Sequence, residues 1–124
     1  MNFSDLEKAT ILSGLSRLIC VDNDIDKAEE NLFMQIYNKF GANQNHIRMG
    51  SELSANPAKT IEIVQSFSIE KKELFSALLY MIMNADGINN LLEQGFIEGT
   101  QLFYNLPKIS PERAKKLFND FMSK

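Results

Sequence analysis

The chain has 124 residues, of which 44% are hydrophobic and 23% charged, with a net charge of −3. That is enough apolar material for one domain with its own core. Basic residues are scattered, with Lys71-Lys72 and Lys115-Lys116 the only adjacent pairs, which argues against the basic stripe of a nucleic-acid binder.

Ser4-x-x-Glu7 has the form of a capping box and opens a first helix running to about Val21. Leu12, Leu15, Leu18 and Ile19 fall on its inner face. Asp26-x-x-Glu29 opens a second helix, striped by Leu32, Phe33, Ile36, Tyr37 and Phe40 and ended by Gly41. A shorter helix is expected over Asn45 to Leu53. Asn56-Pro57 starts a fourth, with proline at its first position. Ser68 caps a long apolar helix from Ile69 to Ala85. Asn90-x-x-Glu93 opens the sixth, with Phe96, Ile97, Phe103 and Tyr104 as core candidates and Pro107 as its stop. Ser110-Pro111-Glu112 caps the last, covering about 111–123. Strand alternation is nearly absent. The expectation is an all-α fold of about seven short helices.

The apolar run from Leu74 to Ala85 is shorter than the ~18 residues a membrane span requires. The N-terminal residues lack the basic-then-apolar pattern of a signal peptide, so a cytoplasmic protein is expected. The lone Cys20 fits a reducing compartment and reads as a small buried hydrophobe. The six methionines read as core gap-fillers.

Two acidic clusters interrupt the helices at one spacing. Asp22-Asn23-Asp24-Ile25-Asp26 leads to Glu29, and Asp86-Gly87-Ile88-Asn89-Asn90 leads to Glu93; Asp22 and Asp86 are 64 positions apart, as are Glu29 and Glu93. Leu15 and Leu79, Leu32 and Phe96, and Phe33 and Ile97 also match at that spacing. The pattern predicts two similar helical hairpins, about 9–41 and 73–105, related by an approximate two-fold axis, with the loops near that axis or on one common face.

Carboxylates gathered between helices repel one another, and a hard divalent cation such as Ca²⁺ or Mg²⁺ relieves that by taking oxygen ligands. Asp22 and Asp86 each follow a helix, where the macrodipole already disfavours negative charge. Asp26, Glu29 and Glu93 stand at helix starts, where negative charge is favoured. They have a competing reading as helix caps, the role Glu7 fills with no acidic loop before it. Asp22, Asp24 and Asp26 match positions one, three and five of an EF-hand loop. Lys27 replaces its glycine and Phe33 its bidentate glutamate, which excludes that motif.

The two Asp…Glu clusters, each between helices, resemble the TerB-like family, named for tellurite resistance, over roughly Ala9 to Phe121. Asn23 stands where the family pattern has glycine, and Ile88 comes one position early. The resemblance implies an all-helical domain of two pseudo-symmetric halves. It also implies a divalent metal held by Asp22, Glu29, Asp86 and Glu93, with Asp24 and Asp26 as neighbouring candidates. The expected function is a small non-catalytic metal-binding module acting in a stress response through protein partners. The alternative is a metal-free helical interaction domain whose acids are caps and solvated surface. An enzyme is disfavoured: His46 lies in a polar stretch and reads as a surface residue, and no phosphate loop, HExxH or nucleophile elbow is present.

Overall fold

A computed structural model describes residues 1–21, 25–85, 87 and 91–124. Its elements are helices, most of them opening directly after a residue that caps them. They are α1 (Asp5–Cys20), α2 (Lys27–Lys39), α3 (Gln44–Ser54), α4 (Pro57–Gln65), α5 (Ile69–Met83), α6 (Leu91–Tyr104) and α7 (Pro111–Met122). Among the described residues there is no strand, and the fold is all-α.

At α1 the capping box is complete. The Glu7 N–H donates to Ser4 Oγ at 3.1 Å, and the Ser4 N–H donates to Glu7 Oε1 at 2.9 Å. Two donors that the helix cannot satisfy internally are thereby bonded. Ser68 Oγ accepts from the Lys71 N–H at 3.3 Å to open α5, and Ser110 Oγ accepts from the Arg113 N–H at 3.1 Å to open α7. Helix α3 starts one residue before the expected position because Asn43 is its cap, accepting from the Asn45 N–H at 2.9 Å.

Helix α2 ends at Gly41, whose φ of +66° suits a residue without Cβ. The Gly41 N–H reaches Asn38 O at 3.0 Å and the Ala42 N–H reaches Tyr37 O at 3.1 Å, a Schellman closure. Helix α6 stops before Pro107, the expected breaker. Asn105 takes a φ of +55°, and the Leu106 N–H closes onto Gln101 O at 2.9 Å. Asparagine tolerates this left-handed conformation better than most residues.

The centre of the molecule is α5. Six consecutive residues, Leu74 to Leu79, are all buried, which is possible only for a helix covered on every side. Helix α1 packs against it, α7 covers another face, and α3 packs on the far side of α1. Ile11, Leu15, Leu18, Leu78, Leu79 and Ile82 share one cluster with Ile36 from α2 and Ile97 from α6. Each such side chain contributes about 1.5–3 kcal/mol on burial. At the α1–α5 crossing the Phe75 ring lies directly over Gly14. A Cβ there would stand 2.7 Å from Phe75 Cζ. Glycine at that position lets the two helices approach.

The 64-residue spacing recurs in the helix boundaries. The caps Ser4 and Ser68, and the left-handed closures Gly41 and Asn105, are each separated by it. Helix α2 packs on α1 and on α5; α6, its counterpart, packs on α5 and on α1. This is the arrangement of an approximate two-fold axis between α1 and α5.

Four expectations are corrected. Met1 and Met34 are 57% and 46% exposed and fill no gap in the core. Cys20 is exposed, not buried. Phe103 is 64% exposed, because α6 buries the face of Glu93, Ile97 and Thr100 and leaves Phe103 outside. His46 is buried, held between α1 and α3 as described below.

Candidate metal-binding loops

Helices α1 and α5 run in the same sense. Glu7 pairs with Lys71 near their starts, and Gly14 meets Phe75 further along. Both acidic loops therefore leave the same end of this helix pair. At that end the Arg17 guanidinium, one turn before the close of α1, lies 5.9 Å from the centroid of the Phe96 ring. Phe96 is one turn into α6 from Glu93. The end of α1, from which the first loop departs, and the start of α6 are thus neighbours.

Of the six candidate ligands, Asp26, Glu29 and Glu93 are among the described residues, and Asp22, Asp24 and Asp86 lie outside them. Asp26 is the N-cap of α2: its Oδ1 accepts the N–H groups of Ala28 at 2.8 Å and Glu29 at 3.1 Å. Glu29 and Glu93 occupy first turns of α2 and α6, and each is only 2% exposed. Both engage in hydrogen-bonding or electrostatic interactions. Among the described residues no group of three or more His, Cys, Asp or Glu side chains gathers to hold a metal.

The second loop is approached through a tight turn. Asn84 ends α5, its Nδ2 donating to Tyr80 O at 2.9 Å, and the Gly87 N–H donates to Asn84 O at 3.1 Å. Gly87 has a φ of +74°, so the Asp-Gly pair places glycine where other residues would be strained.

Sequence reasoning missed one polar cluster away from the loops. His46 Nε2 lies 3.0 Å from Asp5 Oδ1, and its Nδ1 accepts the Asn43 N–H at 3.0 Å. Since Nδ1 accepts, the ring proton resides on Nε2 and is donated to Asp5. His46 therefore completes the α3 capping box and ties α3 to the start of α1. The capping position, three residues after Asn43, was the available signal; the Asp5 partner, 41 residues away, had none. Beside it a groove of about 420 Å³ runs between α1, α2 and α3, lined by Leu12, Phe33, Tyr37, Ile47 and the hydroxyls of Ser13 and Ser54. No helix of the described residues is long and apolar enough to cross a membrane.

No family model and no curated protein matches the chain. It is similar in structure to a crystallised protein of unknown function from Porphyromonas gingivalis W83. The two share 19% identity with a TM-score of 0.75, over 100% of this chain and 99% of that one. At that identity the likeness shows the fold alone.

Proposed function

We propose that the protein is a non-catalytic helical module that binds a divalent cation of the Ca²⁺ or Mg²⁺ class through its two acidic loops and acts through protein partners. One observation supports this reading above the rest. Glu29 and Glu93, one repeat apart, are both 2% exposed. Glutamates are seldom buried so completely without compensating positive charge. Helix N-termini provide part of that compensation. A hard cation, which takes carboxylate oxygens as ligands, would add to the interactions that both side chains already make. Asp22, Asp24 and Asp86, in the segments that lead into α2 and α6, would complete the ligand shell together with Asp26. A cytoplasmic role in a stress response is what the resemblance to TerB-like proteins adds to the proposal.

A second reading is favoured by a specific contact. Asp26 Oδ1 already caps α2, so the acids can be explained as helix caps on a metal-free interaction domain. Thermal melting with Ca²⁺, Mg²⁺, Mn²⁺ and Zn²⁺ separates the two readings. A cation that binds only the folded chain stabilises it by about 2.7 kcal/mol at a hundred times its Kd. The metal reading expects a raised midpoint that is lost in Asp22→Asn/Asp86→Asn. An unchanged midpoint with all four ions at millimolar concentration supports the capping reading instead.

A further inference from the structure

Among the described residues, helix α6 presents an outer face that stays largely exposed to solvent. Leu91, Leu92, Leu102 and Phe103 are 83, 59, 87 and 64% exposed. Between them on the same face lie Gly95 and Gly99, both exposed. A Cβ at either glycine would meet nothing within 4 Å. Each glycine costs an exposed helix interior about 1 kcal/mol relative to alanine, and no contact among the described residues requires either one.

The face is its own complement when reversed. Leu91 and Phe103, Leu92 and Leu102, and Gly95 and Gly99 are pairwise equidistant from position 97. A two-fold axis at that height would set Leu91 against Phe103 of another molecule, Leu92 against Leu102, and glycine against glycine. This is the condition for an isologous contact, in which residue i meets j and j meets i. The glycine notch would let the two helix backbones approach to the short end of the usual 8–10 Å.

We propose that α6 is the contact face of an antiparallel homodimer of this chain. The four large side chains expose roughly 500 Å² per molecule, the size of the largest apolar patch on a typical monomer, which is often functional. Doubled, that is about 1,000 Å², at the low end of specific interfaces, so the dimer is weak and concentration-dependent. A lipid surface fits less well. Helix α6 carries Glu93 and Glu98 and no Lys or Arg, whereas helices that lie on membranes are rich in basic residues on their polar face.

The test is sedimentation of the full chain over a dilution series. Wild type should be dimeric at high micromolar concentration and dissociate on dilution, and Leu102→Glu/Phe103→Glu should be monomeric throughout with an unchanged helical spectrum. Gly95→Ala/Gly99→Ala should raise the melting midpoint of the dilute monomer yet weaken association about tenfold, equivalent to 1.4 kcal/mol. Register is read by disulfide trapping in a Cys20→Ser background. Leu92→Cys mixed with Leu102→Cys should cross-link, and Leu102→Cys alone should not. A wild type that stays monomeric at every concentration overturns the proposal. So does a monomer that sediments with phosphatidylcholine vesicles, or cross-linking by Leu102→Cys alone.

Discussion

Glu7 and Lys71, 64 residues apart, meet in a two-pronged ion pair, with Lys71 Nζ 2.9 Å from both Oε1 and Oε2 of Glu7. Residues related by a two-fold axis touch only beside that axis, so the pair marks where the axis passes between α1 and α5. The two side chains are only 17 and 19% exposed, and Lys71 also lies 5.4 Å from the centroid of the Phe3 ring. Lys71→Met should cost about 1–2 kcal/mol in urea unfolding, because it leaves a shielded carboxylate without its cation. Glu7→Gln in the Lys71→Met background should recover part of that loss. A fully additive double mutant would show that the pair is uncoupled.

The same pair makes stability depend on pH. Burial pushes the Glu7 carboxyl up, but the Lys71 hydrogen bond, the Ser4 backbone N–H and the Lys71 charge together hold it below its ordinary value of 4.5. Its folded-state value is therefore below the unfolded one. The contribution is present above the unfolded value and is lost as pH falls through the depressed folded value. Unfolding free energy measured downward from pH 5 should fall less steeply in Glu7→Gln than in wild type.

The α1–α5 crossing tolerates no added carbon at residue 14. Gly14→Ala should destabilise by about 1–3 kcal/mol through overpacking, despite alanine's better helix propensity. Phe75→Leu in the same chain should relieve part of the clash with the Phe75 ring, which is 1% exposed. Additive losses in a double-mutant cycle of urea melts would contradict direct contact.

His46 should behave as a structural tie. His46→Ala should cost about 1–3 kcal/mol, because it removes the acceptor for the Asn43 N–H and the donor to Asp5. Asp5→Asn should cost less, since an amide oxygen can still accept from Nε2. Chemical denaturation of both variants orders the two losses.

Cys20 offers a direct check on the end of α1. As an exposed thiol it should react with a thiol reagent in the native protein at close to the rate in denaturant. Slow, unfolding-limited labelling would place it in the core.

Local rules made the helices readable in advance. Ser4, Asp26, Asn56, Ser68 and Ser110 each cap the helix that the sequence assigned to them. A cap is a contact over two or three residues, so short-range pattern suffices to find it. What could not be read depended on distant chain. His46 looks polar and solvent-facing until Asp5 is folded against it. Helix α6 carries apolar residues on two faces, Ile97 on one and Phe103 on the other, and periodicity alone cannot say which α1 and α5 will cover. Cys20 failed for the same reason at the last turn of α1. The repeat was evident from Glu29 and Glu93. Its extension to the caps Ser4 and Ser68 was open to the same comparison, but the match of Gly41 with Asn105 needed backbone geometry, because asparagine and glycine share a left-handed conformation without sharing a side chain. Of the six proposed ligands, the sequence placed Glu29 and Glu93 at helix starts, but their burial is a tertiary property.

Whether one cation engages both acidic loops can be read from amide NMR during a Mn²⁺ titration. A shared site should give saturable paramagnetic broadening of Asp26 and Glu29 together with Gly87 and Glu93, at a single half-saturation, reversed by excess Ca²⁺ or Mg²⁺. Broadening confined to one loop, or none at all, would contradict it.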